Sequence, residues 1–479
     1  MTDNTPRMPT LTEALMPILS MLILIGLGYA FFDLPPEPIL IVSTVLAGVL
    51  ALRVGYSYDD ILKSIANKIA KTMPALLILI CVGLLIGAWL ASGTIPLMIY
   101  YGLKVIDPKY LYITALLLTS VVSVCTGTSW GSAGTVGVAF MGVAVGLDAN
   151  LAATAGAIIS GAYFGDKLSP LSDTTNLASA ATGVNLYEHI YNLWWTTVPS
   201  YLVAVVVYIA YGLSIDVSEV ATPEKVQLMI SNLETIYNFN LFLLIPVVII
   251  LWGSITKKPT IPVMLFSALV AIILAIIFQS FSVHDVIESA LNGFNVSMIH
   301  NDNLQVTSDI SRLLNRGGMN SMMSTLLICF CALSFVGAIS ISNALDVLLQ
   351  SMLKLVRSTF SLVFTTILCG ITMIAVTCNG QISIIMPAEM LREAYIERGI
   401  HPKVLGRTVE DSGSLFEPLL PWTAAGAYMA GTLGVPTLEY VPWAIVSWIA
   451  VIFAMIWAAT GIGITRINAE QQKAMMAQA

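Results

Sequence analysis

From Leu15 to Phe32 the chain runs for eighteen residues without a charged side chain. A helix rises about 1.5 Å per residue, so a run of this length matches the roughly 30 Å hydrocarbon core of a bilayer. Further long apolar runs follow at Ile39 to Arg53, Met73 to Ala91, Phe239 to Trp252 and Val263 to Phe281. Lipid offers no partner to a free peptide group, so each run has to bond its own N–H and C=O groups as a helix. Composition agrees. Of 479 residues, 57% are hydrophobic and 10% charged, against roughly 25% charged in a soluble domain. The expected fold class is all-α, a polytopic membrane protein.

Several function classes drop out. A net charge of −7 leaves no basic surface for nucleic acid. Cys81, Cys125, Cys329, Cys331, Cys369 and Cys378 all lie in apolar runs and form no C-x-x-C, which argues against a disulfide or zinc framework. His189, His284, His300 and His401 stand singly at predicted segment ends, without the spacing of a zinc site. No nucleophile–base set is visible, so neither an enzyme nor a resident cofactor is expected. The leader holds only Arg7, balanced by Asp3 and Glu13, and a second span follows at once. A retained first helix is therefore expected rather than a cleaved signal peptide.

Charge sets the orientation. The turn Asp33-Leu34-Pro35-Pro36-Glu37-Pro38 is acidic, whereas Arg53, Lys63, Lys68 and Lys71 cluster after the second span. By the positive-inside rule the cluster, and with it the N-terminus, is cytoplasmic. Tyr58 to Ala70 is polar enough to lie along the surface, and Ser92 to Pro108 reads as a short surface helix. Gly83 and Gly87 have the four-residue spacing that lets helices approach closely. Tyr110 to Val124, residues 132–146 and residues 151–164 are apolar runs too short for unbroken crossings. Asn176 to Ala181 and Tyr187 to Tyr211 complete the first half, with Trp194 and Trp195 as interfacial anchors. The acidic linker Ser214 to Asn238 is then external.

After that linker the pattern restarts. Ser57 to Asn67 matches Ser282 to Asn292 in character, Leu77-Ile78 and Gly87-Ala88 match Leu327-Ile328 and Gly337-Ala338, and Cys125 to Thr128 faces Thr377 to Gln381. An extra polar loop, roughly residues 297–318, accounts for the drift between these matches. Two copies follow, residues 1–238 and 239–479. The first copy begins inside and ends outside, while the basic turn Lys257-Lys258 places the inside within the second. This is the inverted-repeat architecture of many secondary transporters, with sites built by discontinuous helices near the midplane. Lys104 and Lys109 fall outside in this scheme and count against it. Matching Ser169-Pro170 to Glu417-Pro418 sets Ser414 opposite Asp166 and Pro421 opposite Asp173, which leaves the ion chemistry to the first copy.

Polar residues concentrate at two breaks. Thr126-Gly127-Thr128 and Asn379-Gly380-Gln381 are the candidate broken segments, because glycine allows the turn and hydroxyl or amide oxygens suit a hard cation. Ser129, Ser132 and Thr135 follow on one face of a helix. In Asp166-Lys167-Leu168-Ser169-Pro170-Leu171-Ser172-Asp173-Thr174-Thr175-Asn176, proline puts the two aspartates on either side of a second break. The candidate site comprises Asp166, Asp173, Thr126, Thr128, Ser129, Ser132, Ser169, Ser172, Thr174, Asn176, Asn379, Gln381 and Glu417. Sodium is expected at Asp166, Asp173, Thr128 and Ser129. The competing readings are an Asp166–Lys167 ion pair with Asp173 as a mere cap, and surface salt bridges for Glu410.

Gly127 to Ser132, and above all Ser160 to Asn176, resemble the hallmark of the NhaC-type Na⁺/H⁺ antiporters. The resemblance covers nearly the whole chain. It implies a bacterial or archaeal inner-membrane protein with inverted repeats and re-entrant hairpins, a homodimer, and exchange of Na⁺ for H⁺. One branch of that family resembles malate/lactate exchangers, so a small carboxylate is the alternative cargo. Partners are then membrane lipid, Na⁺ and H⁺.

Overall fold

The computed structural model describes residues 6–32, 34–215, 223–299, 308–354 and 356–477. Asp3, Asp33, His300, Asp216 and Glu219 lie outside them. Among the described residues the chain is helical throughout, without a β-strand. Among the described residues nine helices are long and apolar enough to cross a membrane, and two helix pairs bent by 100° and 54° pass the same test together. The chain is a polytopic all-α protein. Its outer helices turn apolar side chains outward, as Leu265, Phe266, Leu269, Ile273, Ile276 and Ile277 do on Thr260–Phe278, which suits a lipid solvent.

The third helix departs from expectation. Ser57 caps it with a reciprocal box to Asp60, and it runs unbroken over Tyr58–Ser92 until Gly93 turns left-handed at φ 88°. Its polar start is therefore the first third of a single long helix, not a separate surface segment. No glycine interrupts residues 58–70, and Pro74, which costs one hydrogen bond, leaves the helix continuous. The short helix expected before Pro108 is Thr94–Val105, which buries Ile95, Leu97, Ile99 and Leu103. The acidic linker contains a helix, Pro223–Ile236, whose Met229, Ile230 and Leu233 are buried. Glu234 on it pairs with Lys104 at 3.4 Å, so the lysine that opposed the topology sits with an acid assigned to the same side.

The two matched segments meet each other's partners. Ser282 starts Val283–Asn292 with the same capping box, to Asp285. Ser289 donates from Oγ to the Gly87 carbonyl at 2.8 Å, and Ser64 donates to the Gly337 carbonyl at 2.7 Å. A Cβ on Gly87 would lie 2.1 Å from the Ser289 oxygen, and one on Gly337 2.5 Å from the Ile65 Cα. Glycine is what allows backbone to touch backbone at both crossings. One turn earlier, Gly83 accepts from the Gly318 N–H at 2.8 Å, a close approach to the segment that precedes Met319.

Candidate functional site

Leu111–Thr126 stops at Gly127, which takes φ 68°, and the extended Thr128 caps the helix that follows by accepting from the Gly131 N–H. The second break lies one residue earlier than the sequence suggests. Thr359–Thr377 stops at Cys378, left-handed at φ 52°, and Asn379 caps Gly380–Glu397 by accepting from the Ile382 N–H. Gly380 is helical, so the tight turn there is made by a cysteine. Each break frees carbonyls and N–H groups that a helix would otherwise bond.

The acid-bearing turns are built alike. Leu151–Leu168 ends at Ser169, and Ser172 caps Asp173–Thr182, which closes on Gly183 at φ 68°. In the second half, Thr423 caps Ala424–Leu433, which closes on Gly434 at φ 71°. Gly127 and Cys378, Thr128 and Asn379, Ser172 and Thr423, and Gly183 and Gly434 all stand 251 residues apart. At that spacing Asp166 faces Glu417 and Pro170 faces Pro421. This replaces the expected pairings of Asp166 with Ser414 and of Asp173 with Pro421. Aligning Pro170 with Pro418 matched a residue type, whereas caps and left-handed turns follow what the backbone requires.

The breaks border a cavity of about 580 Å³. Of the candidate residues, Thr126, Thr128, Ser129, Asp166, Asp173, Thr174, Asn379, Gln381 and Glu417 line it. Asp166 Oδ2 accepts from the Ser129 N–H at 3.2 Å and its Oγ at 2.8 Å. Glu417 occupies the corresponding place in the second half, where a Cβ on Gly380 would lie 2.4 Å from its Oε2. Each carboxylate thus sits at the N-terminal end of a broken helix, where the helix dipole favours negative charge. Among the described residues neither has an ion-pair partner.

The other candidates shape the turns. Asp173 is exposed at the start of its helix. Ser132 donates to the Thr128 carbonyl at 2.8 Å and Ser169 to the Val124 carbonyl at 2.8 Å. Ser172 is an N-cap, and Asn176 Nδ2 ties the Pro170 and Ser172 carbonyls at 3.0 and 2.7 Å. Ser132, Ser169, Ser172 and Asn176 lie outside the cavity lining and hold its edges in place.

Two competing readings fall. Lys167 does not pair with Asp166; its Nζ bonds the buried Asp411, which also accepts from Thr196 Oγ1 at 3.1 Å. Glu410 is not a surface residue. It is fully buried against His189 Nε2 at 2.6 Å. Arg407, also buried, donates to the Gly463 carbonyl at 3.0 Å, and Lys403 pairs with Glu188 at 2.9 Å. Sequence reasoning missed further cavity residues: Tyr163, the stacked Trp130 and Tyr428 with centroids 4.3 Å apart, and exposed Lys71, Lys257 and Lys258. The lysines carried a signal, but it was spent on orientation.

Residues 161–462 match the Na⁺/H⁺ antiporter family. An uncharacterized Na⁺/H⁺ antiporter of Haemophilus influenzae is 68% identical over 98% of this chain and 99% of its own length. The malate-2H⁺/Na⁺-lactate antiporter of Bacillus subtilis is 34% identical over 95% and 96%, and the Na⁺/H⁺ antiporter NhaC of Alkalihalophilus pseudofirmus 33% identical over 91% and 93%. Similarity of this length, carried through both breaks and both acid-bearing turns, makes the chain a member of the Na⁺/H⁺ antiporter family.

Proposed function

We propose that the protein exchanges Na⁺ for H⁺ across a bacterial cytoplasmic membrane by alternating access, with Asp166 and Glu417 as the groups at which the two ions compete. The observation that carries this reading is the pair of carboxylates facing one cavity without an ion-pair partner among the described residues, while Lys167 and His189 are already taken by Asp411 and Glu410. A partly buried carboxylate without a counter-charge is costly, so each is occupied by Na⁺ or by a proton. Na⁺ prefers oxygen ligands, and Thr126, Thr128, Ser129 and Asn379 supply them beside the carbonyls freed at the breaks. Asp173 and Thr174 act at the mouth, with Gln381 opposite.

Residues 1–238 and 239–479 are taken as inverted repeats that rock against each other; the reciprocal Ser289–Gly87 and Ser64–Gly337 bonds support that relation. With Lys71, Lys257 and Lys258 on the cytoplasmic side, the cavity opens inward and both termini are cytoplasmic. A homodimer rests on family resemblance. Everted vesicles are expected to show a Na⁺-dependent pH change that falls about tenfold or more in Asp166→Asn and in Glu417→Gln. Full exchange in both variants at normal expression refutes the assignment.

A second reading, Na⁺/H⁺-coupled exchange or uptake of a small organic acid of the malate/lactate type, draws on the three lysines and on the helix N-termini at Ser129 and Gly380, which bind anions. The relative named as a malate-2H⁺/Na⁺-lactate antiporter supports it. Uptake of labelled malate or lactate into proteoliposomes, with and without Na⁺, separates the two.

A further inference from the structure

Lys167 follows Asp166 on the last turn of Leu151–Leu168, and it lines the same cavity although its side chain is only 2% exposed. Its backbone is held by Thr175, whose Oγ1 donates to the Lys167 carbonyl at 3.0 Å. Its ammonium is held from the other half of the chain. Asp411, fully buried in the turn Glu410–Ser414, takes the ammonium on Oδ1, and Thr196 fixes that same oxygen from a third segment. A buried ammonium deprived of its partner must find another counter-charge. Lysine carries its charge on a flexible four-carbon stem, and Asp166 is the carboxylate bonded to the neighbouring residue.

We propose that Asp411 is a positioning residue: by holding Lys167 in a buried pair it keeps that ammonium off Asp166, leaving the cavity carboxylate free for the transported cation. This rests on the reading of Asp166 as the exchange group. Lys167 is an internal competitor for the Na⁺ site, and Asp411 keeps it sequestered. A pair that served stability alone would leave Na⁺ affinity untouched in any variant that folds.

The test is Na⁺-driven H⁺ movement in proteoliposomes, together with the Na⁺-induced rise in Tm of the purified protein. The parent protein is measured first, since an absence of Na⁺-dependent exchange there defeats the antiport reading and not this one. Asp411→Asn is expected to raise KM for Na⁺ about tenfold or more while kcat changes far less, and to lose the Na⁺-induced Tm rise. The double variant Lys167→Gln/Asp411→Asn is expected to return KM to within about threefold of the parent and to regain the Tm response, because coupled residues do not add. An unchanged KM in Asp411→Asn, or a double variant as impaired as the single, overturns the proposal. If Asp411→Asn does not fold, Thr196→Val loosens the same carboxylate. It should raise KM about two- to threefold, and do so only while Lys167 is present; an unchanged KM there overturns the proposal equally.

Discussion

Replacing Gly87 by alanine adds one methyl group where Tyr58–Ser92 crosses Val283–Asn292. The new Cβ would lie 2.1 Å from the Ser289 carbonyl oxygen and 2.9 Å from its carbon, both backbone atoms. Carbon contacts are comfortable near 3.5 Å, so the helices must part by about 1 Å. Overpacking of this kind costs about 1–3 kcal/mol. Parting also weakens the Ser289 Oγ bond to the Gly87 carbonyl, a further loss of about 0.5–1.5 kcal/mol. Alanine returns about 1 kcal/mol through its better helix propensity. The net effect is a destabilisation of about 1–3 kcal/mol, read as a fall of several degrees in the Tm of the detergent-purified protein. Gly48→Ala is the control: a Cβ there meets nothing within 4 Å, so only the propensity gain of about 1 kcal/mol remains. Gly337→Ala, whose Cβ would lie 2.5 Å from the Ile65 Cα, should behave as Gly87→Ala does. Equal stability of Gly87→Ala and Gly48→Ala would refute the close crossing, and a neutral Gly337→Ala would refute its reciprocity.

The two breaks should respond oppositely to glycine. Gly127→Ala forces a side chain to φ 68° and within 2.6 Å of Leu171 Cβ, and a left-handed L-residue alone costs about 1–2 kcal/mol, so thermal stability falls. Cys378→Gly relieves the same strain at φ 52° and should stay within about 1 kcal/mol of the parent, whereas the β-branched Cys378→Val should lose about 2 kcal/mol or more. At the surface, His401 accepts from the Lys403 N–H at 3.2 Å, and burial holds its protonation below the ordinary 6.5. The neutral ring is the folded form, so its contribution is whole above 6.5 and is lost as pH falls through the lower folded value. His401→Asn should flatten Tm against pH on the acid side of 6.5; an unchanged acid slope would show that the cap does not depend on the ring's protonation.

Much of the fold was legible because lipid leaves a sequence few choices. A charge-free run as long as Leu15 to Phe32 has to be a helix, and the serine–aspartate boxes at Ser57 and Ser282 mark helix starts by local bonding alone. What failed was the reading of polarity as position. Tyr58 to Ala70 is polar, yet a helix started by a cap continues until something stops it, and the stop is Gly93. The hydrophobic face of Pro223–Ile236 was hidden in the same way by the acids around it.

At the site, the residues that could be found were those whose chemistry is local. Thr128 caps three residues ahead and Pro170 breaks its own helix, so both announce themselves in a short window. The charge pattern is not local. Whether Asp166 is free depends on where the Lys167 ammonium goes, and it goes to Asp411, 244 residues away. Whether Glu410 is buried depends on His189, 221 residues back. A sequence shows acids and bases side by side; only the fold shows which are paired. With Asp411 paired to Lys167 and Glu410 to His189, the cavity's two inner acids, Asp166 and Glu417, have no ion-pair partner among the described residues and each lies on the end of a broken helix, while Asp173 is exposed at the rim. Two helix ends give about half a charge each, roughly enough to offset one carboxylate and too little for both. On the proposed reading neither carboxylate is left bare: Na⁺ or a proton takes up the charge that the helix ends do not offset.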